Sequence, residues 1–166
     1  MRRFITAIDA VNQGLGQGIA WLTAFMVALT LIVVVIRYAF DAGAIALQES
    51  VTYLHALVIM LGIPHTLKVD AHVRVDILYS RLRPAHRAAA NLAGHTLFLA
   101  PVAVLVLYTS LPYVVDSWRV LEGSPEVGGI PAVFLLKTLI PVMAVLLLAQ
   151  GIADSIRLTL GLVQRD

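Results

Sequence analysis

The amino-acid sequence predicts an all-α integral membrane protein with four transmembrane helices, and three observations lead to this prediction. Of the 166 residues, 60% are hydrophobic and only 13% are charged, with a mean hydropathy of +0.89. Soluble proteins carry about a quarter charged residues. Four apolar runs approach or reach membrane length. A basic interval between the second and third runs gives the orientation, because Lys and Arg beside a span resist translocation.

The basic interval is the predicted cytoplasmic loop, residues 68–90. It carries five basic side chains against two acids, Asp70 and Asp76. The basic residues are Lys68, Arg74, Arg81, Arg83 and Arg87. With Arg2, Arg3, Arg157 and Arg165 they place nine basic residues on this side, against Arg37 and Arg119 on the other. We therefore expect both termini in the cytoplasm.

A short amphipathic helix is predicted at the N-terminus. Apolar residues between Phe4 and Ile19 recur at three- and four-residue spacing, while Asp9 and Asn12 lie off that stripe. Such a helix either lies in the membrane interface or continues into the first span. The pair Gly14 and Gly18 has the spacing of a close helix contact, and a flexible joint is the alternative.

A second interfacial helix is predicted within the cytoplasmic loop. Val73, Ile77, Leu78 and Leu82 share one face of a helical projection, and Pro84 ends the pattern.

The four spans are predicted at about residues 19–40, 50–67, 92–115 and 131–153, with periplasmic loops at 41–49 and 116–130. The first run is too long for the apolar region of a secretory signal, so we interpret it as a retained span. The helical pattern before and through the third span is longer than the membrane core, and Pro101 is expected to kink it.

Lys137 and Glu49 are the charged residues closest to the membrane interior. A charge at mid-bilayer is costly, so Lys137 is expected to form an ion pair that holds helices two and four in register. Its candidate partners are Glu49, Asp116 and Glu122. A direct role in moving an ion or solute is the alternative. Glu49 is expected in the first turn of its helix, where the helix dipole favours a carboxylate, or in contact with a partner subunit.

Other chemistry has little support in the sequence. The chain has no cysteine and no Ser/His/Asp, paired-carboxylate or phosphate-loop arrangement, so we expect neither an enzyme nor a cofactor. Its basic residues gather at the ends of apolar runs, which disfavours a nucleic-acid partner. His65 and His95 are predicted at similar depth and could hold a haem iron, but packing histidines are the simpler interpretation.

Several short motifs in a fixed order resemble the small membrane subunit (DctQ-like) of tripartite ATP-independent periplasmic (TRAP) transporters over nearly the whole chain. They are Arg37-Tyr38, Gln48-Glu49-Ser50, Tyr53-Leu54, Leu61-Gly62, Lys68, His72-Val73-Arg74-Val75-Asp76, Trp118, Glu122-Gly123-Ser124, Gly129, Pro131, Lys137 and Ile140-Pro141. Pro64-His65 departs from the family pattern.

The resemblance implies a supporting role in the bacterial inner membrane. In such systems a large membrane subunit transports, usually with sodium, and a soluble periplasmic protein captures a solute that is commonly an organic acid. The small subunit packs in the lipid bilayer against the large subunit's static scaffold. The candidate contact residues are Glu49, Trp118, Glu122 and Lys137 near the outer face and His72, Arg74 and Asp76 at the inner interface.

Two different functions remain as alternatives. One is an autonomous small four-helix transporter that works as a dimer, with Glu49 or Lys137 as its coupling group. The other is a haem-bearing membrane anchor of a redox enzyme.

Overall fold

The computed structural model describes residues 2–72, 79 and 81–163, and the regular secondary structure in this part of the chain is entirely helical. Its elements are α1 (Arg2–Phe40), α2 (Ile45–Lys68), α3 (Pro84–Gly94), a π-helical turn (His95–Leu99), α4 (Ala100–Arg119) and α5 (Val133–Val163). Four stretches are long and apolar enough to cross a membrane: Arg3–Phe40, Ile45–Lys68, Pro84–Arg119 and Val133–Leu160. The predicted all-α fold with four membrane-length helices is confirmed.

The N-terminal segment is the first half of a long helix. α1 is continuous over 39 residues, or about 58 Å at 1.5 Å per residue. The segment therefore continues directly into the first membrane-length run, which is one of the two arrangements expected. The second predicted interfacial helix falls mostly on residues 73–78 and 80, outside the described residues.

α3, the π-helical turn and α4 form one rod, because the residues at both junctions keep right-handed helical dihedrals. At the end of the turn the amide of Ala100 donates to the carbonyl of His95, five residues back. Pro101 follows at once. Proline has no amide to donate and its ring crowds the preceding turn, so a widened turn is a common way to accommodate it.

α5 is the central element of the bundle and contacts every other described helix. α2 packs between α1 and α5, while the rod packs on α5 from another side. Small side chains make this contact close: α4 buries Ala103, Ser110, Val114 and Ser117. Small residues let helices approach where lipid supplies no hydrophobic driving force, so packing and hydrogen bonds must hold the bundle together.

The connection between α4 and α5, residues 120–132, is folded tightly onto the helix ends. Its Ser124 amide donates to the Ile130 carbonyl at 3.1 Å, and the Gly129 amide donates to the Glu126 carbonyl at 3.0 Å. Gly128 has a φ of +80°, a conformation that glycine adopts without strain. This loop supplies one half of the first polar cluster described below.

Candidate functional site

Glu49 fixes the α4–α5 loop to α2. The sequence had suggested that Glu49 lies in the first turn of α2. The helix begins at Ile45, so Glu49 lies in the second turn. Its Oε2 accepts the amide of Ile130 at 2.6 Å, and its Oε1 accepts the Ser124 hydroxyl. A Cβ on Gly129 would lie 2.8 Å from Glu49 Oε1 and closer still to Ser124, so a larger residue here would have to displace this contact.

Lys137 forms the ion pair that the sequence predicted, but with a loop residue. Its ammonium group binds Glu122 Oε2, which also accepts the Ser117 hydroxyl at 2.6 Å. The same ammonium lies 4.0 Å from the centre of the Tyr113 ring. The expectation that Lys137 links the second and fourth spans, α2 and α5, was therefore wrong. The α2 carboxylate, Glu49, binds the loop instead.

The electrostatics of Glu122 follow from these contacts. Hydrogen bonds from Lys137 and then from Ser117 lower the pKa of its carboxyl group, against a smaller opposing effect of burial. The third candidate partner, Asp116, lies 3.0 Å from Arg119 in an exposed pair. Screening by water makes such a surface pair weak.

Trp118 lies on the side of the same cluster. Its indole Nε1 donates to Thr138 Oγ1 at 2.9 Å, and its ring meets the Phe134 ring edge-on at 4.6 Å between centroids. The side chain stays 44% exposed. Glu49, Glu122, Lys137 and Trp118, with the loop groups they bind, are called the loop cluster below.

A second polar cluster joins α1 to α5. Asn12 Nδ2 donates to Gln150 Oε1 at 2.6 Å, and both side chains are fully buried. Gln150 Nε2 donates to Asp154 Oδ1 at 3.1 Å. Arg157 then binds Asp154 and, across the helix interface, Asp9. These five residues form the α1–α5 cluster.

α2 is tied to the same part of α1. Lys68 Nζ donates to the Asp9 carbonyl at 2.7 Å and to Gln13 Oε1 at 2.8 Å. His65 Nδ1 lies 2.8 Å from the carbonyl of Asn12, and the imidazole is packed against Gly16. A Cβ on Gly16 would lie 2.3 Å from the ring, so a larger residue at this position would collide with His65.

The glycine pair singled out in the sequence is not the contact. A Cβ on either Gly14 or Gly18 would meet nothing within 4 Å, so both face away from neighbouring side chains. The two histidines of the haem hypothesis have separate neighbours in the protein: His65 meets α1, and His95 Nδ1 lies 3.4 Å from Ser155 Oγ on α5.

The α1–α5 cluster was not predicted, because the apolar stripe of the N-terminal helix gave no partner to Asp9 or Asn12. In the structure Asn12 is fully buried, while the apolar side chains of Phe4 and Val11 are about half exposed. A signal was available on the partner helix. Gln150, Asp154 and Arg157 recur at spacings of four and three residues, which places them on one face of α5.

The sequence was compared with models of known protein families. Residues 26–161 match the family model described as "Tripartite ATP-independent periplasmic transporters, DctQ component". The chain belongs to the DctQ family. Comparisons with curated proteins and with solved structures found no match. The resemblance stated from the sequence is thus confirmed: this is a multi-pass membrane component of a TRAP transporter, and the family is not one of enzymes.

The family match and the polar clusters overlap only in part. The loop cluster lies wholly inside the matched residues of this DctQ protein. The α1–α5 cluster crosses its boundary, since Asp9 and Asn12 precede residue 26 whereas Gln150 and Arg157 lie within the match. The N-terminal part of α1 is therefore outside the matched region but is joined to it by a buried hydrogen bond and an ion pair.

Three candidate contact residues of this DctQ protein belong to the loop that follows α2. His72 is exposed just after α2. Arg74 and Asp76 lie outside the described residues. Within the described part, the structure joins Glu49, Glu122, Lys137 and Trp118 around one loop and leaves His72 apart from them.

Proposed function

We propose that this DctQ protein is the static small subunit that packs against the large permease subunit of its TRAP transporter. The permease carries out cation-coupled uptake of an organic acid, which a periplasmic binding protein delivers. One observation carries the proposal. Within each cluster the polar side chains bind groups of the subunit itself, whereas large apolar side chains face outward. Scaffolding needs such an apolar exterior more than it needs polar groups along a transport path.

The exterior of α1 illustrates this point. In its membrane-length apolar run Leu29 is buried, whereas Trp21, Leu31 and Tyr38 are each more than half exposed. Lipid and a partner helix are both compatible with such a surface. α1 is therefore a suitable element for widening and anchoring a larger membrane assembly.

Both clusters support a rigid subunit. Glu49 and Lys137 bind opposite ends of the α4–α5 loop region, and the α1–α5 cluster fixes the N-terminal half of α1. Charged groups in membrane helices usually mark functional or paired sites. Here the observed pairing makes a structural role the better explanation for Lys137 than ion coupling.

The orientation belongs to the same proposal. Nine basic residues against two favour an inner-membrane protein with both termini in the cytoplasm. The loop cluster then lies on the periplasmic side, and His72, Arg74 and Asp76 lie on the cytoplasmic side. Cysteine labelling at Ser80 and at Val127 with a membrane-impermeant reagent should modify only Val127→Cys in intact cells.

The partnership is tested by purifying the tagged chain from native membranes in mild detergent and identifying what accompanies it. We expect a much larger polytopic membrane protein at a ratio of about one to one. Deleting the gene for this chain should abolish solute uptake. Purification of the chain alone, as a dimer that moves solute in liposomes, would refute the proposal.

Glu49→Gln separates the proposal from the autonomous transporter. A scaffold with this substitution should still assemble with the permease and support uptake, since a neutral side chain can retain part of the loop contact. A proton-coupled pump that relies on Glu49 would lose all transport while keeping its assembly. A Soret band in the visible spectrum of the purified protein would instead indicate the haem-bearing anchor.

A further inference from the structure

The side chains of the α1–α5 cluster form a chain of contacts that nearly closes into a ring. Asp9 binds Arg157, which also binds Asp154. Gln150 donates to Asp154 and accepts the amide group of Asn12. The two ends of this chain, Asp9 and Asn12, are three residues apart on α1 and so share one face of the helix. One further group that joined them would close the ring.

Both ends of the chain present an oxygen atom that needs a hydrogen-bond donor. Asp9 Oδ1 and Asn12 Oδ1 are buried, and neither has a hydrogen-bond partner among the described residues. Asn12 is fully buried, whereas the Asp9 side chain is 28% exposed overall and still buries this oxygen. A carboxylate oxygen and an amide oxygen only accept hydrogen bonds, so the two cannot bind each other. A buried acceptor without a donor is unfavourable, which calls for a third group that donates to both.

Exchanging the nitrogen and oxygen of the Asn12 amide does not remove this need. Asn12 Oδ1 would then meet Gln150 Oε1, and both atoms are acceptors. Turning the Gln150 amide over as well would bring its Oε1 to the Asp154 carboxylate, which is again an acceptor. The observed orientations therefore satisfy Gln150 on both sides and leave the unpaired oxygen on Asn12.

Charge decides which donor fits. The carboxylates of Asp9 and Asp154 are balanced by Arg157, which binds both, and by Lys68, whose Nζ lies 2.7 Å from the Asp9 carbonyl oxygen. Asp70, at the end of α2, is exposed and therefore solvated. A metal ion, or a proton on Asp9, would add a positive charge to this balanced set, and an uncompensated buried charge is costly. Two oxygens also fall short of the roughly six to eight that Ca²⁺ takes. A water molecule brings two O–H donors and no charge.

Water has access to this part of the cluster. Lys68 and Arg157, which both contact Asp9, line a polar cavity of about 230 Å³ together with Asp154. A single water needs only about 10–15 Å³ of such volume. The cavity therefore brings solvent up to the residues that hold Asp9.

We propose that the α1–α5 cluster binds one water molecule, which donates one hydrogen bond to Asp9 Oδ1 and one to Asn12 Oδ1 and so closes the ring. This water is part of the contact that fixes the N-terminal half of α1 to α5. Buried waters of this kind satisfy polar groups that the protein itself leaves unpaired. The inference uses neither the orientation nor the permease partnership, so it can fail without them, and co-purification tests the partnership separately.

The first test is water-edited solid-state NMR of the isotope-labelled, full-length protein in lipid bilayers. Because the bound water exchanges with solvent through the cavity, magnetisation should pass from water to the side-chain carbonyl carbon of Asn12 sooner than to that of Gln150. Both amides are fully buried, but the polar groups of Gln150 are bound within the protein. The exposed amide of Gln17 on the same helix gives the upper limit. Equal delay at Asn12 and Gln150 would overturn the proposal.

Asp9→Asn supplies the donor from the protein itself. Its amide oxygen can still accept from Arg157, while its Nδ2 replaces the water as donor to Asn12 Oδ1. The early transfer to Asn12 should then be lost. Asp116→Asn makes the same change beside the exposed Arg119 and is the matched control, so it should leave the transfer intact. The same transfer in both variants would contradict a water at this position.

Two measurements on the wild-type protein separate water from the other ligands. The carbon shift of the Asp9 carboxyl group at neutral pH should be that of an ionised carboxylate, and the shift of a protonated acid would refute the proposal. Treatment with a chelator and replacement of sodium by choline should leave the Asn12 side-chain resonances in place. A change that an added metal ion reverses would assign the site to a cation instead.

An experimental structure that shows ordered solvent gives an independent readout, because it needs no variant to fold. It should contain one solvent peak within hydrogen-bond distance of both Asp9 Oδ1 and Asn12 Oδ1. Two well-ordered oxygens with no such peak between them would overturn the proposal.

Discussion

The hydrogen bond between Asn12 and Gln150 allows a direct test of how the bundle is held together. Its donor and acceptor lie 2.6 Å apart, and both side chains are fully buried between α1 and α5. We consider Asn12→Leu, Gln150→Leu and the double variant. Each single change removes one partner and leaves the other amide buried without it, whereas the double change removes both.

The magnitude follows from this burial. Leaving a buried polar group without its partner costs about 1–3 kcal/mol. Hydrogen bonds between membrane helices couple by about 0.6 kcal/mol on average and about 1.7 kcal/mol at most. For a short, fully buried bond we expect Asn12→Leu to lower the free energy of unfolding by about 1–2 kcal/mol. Gln150→Leu should cost more, because Gln150 also donates to Asp154.

The double variant should be less destabilised than the sum of the single variants, by about 1 kcal/mol. The assay is reversible unfolding in mixed micelles, followed by steric trapping or by loss of helical signal. Gln17→Leu is the matched control, since it replaces an exposed amide on the same helix and should be close to neutral. Additive single effects, or an Asn12→Leu effect equal to that of Gln17→Leu, would refute the reasoning.

Three further predictions concern close contacts and charge. Gly16→Ala should destabilise the bundle by about 1–3 kcal/mol in the same assay, because its methyl group meets the His65 ring, whereas Gly18→Ala should not. The lowered pKa of Glu122 predicts stability that is complete above the ordinary value of 4.5 and is lost as the pH falls through the lowered value. Thermal unfolding of Glu122→Gln should therefore vary less with pH in that acidic range, and an unchanged profile would contradict the ion pair's contribution. Glu49→Gln should speed amide hydrogen exchange in the α4–α5 loop without loss of helix, and unchanged exchange at Ile130 would contradict its anchoring role.

The sequence was sufficient for the fold class because the signal is carried by composition and run length. Membrane-length apolar segments must satisfy their backbone groups internally, so each forms a helix whatever its neighbours are. The family could also be recognised, since short motifs such as Gln48-Glu49-Ser50 and Glu122-Gly123-Ser124 keep their order around the spans. Orientation stays a prediction, drawn from the distribution of Lys and Arg.

The sites were only partly predictable because hydrogen bonds between distant residues depend on how helices pack. The predicted depth in the membrane left Lys137 with three possible carboxylates, and the folded loop selects Glu122. The same loop takes Glu49 as its anchor, so a residue proposed for partner contact also has an internal role. Asp9 and Arg157 could not be paired in advance, since nothing local indicates that chain positions so far apart meet.

The sequence by itself thus determined the membrane environment, the four long helices and the family, because these depend on local apolarity and on short motifs. Only the tertiary structure decided which faces of those helices meet. In lipid an apolar side chain is stable on the outside, so the stripe containing Phe4 and Val11 does not have to face the bundle. A buried polar side chain needs a partner, and Asn12 finds one in Gln150 only after α1 and α5 have packed.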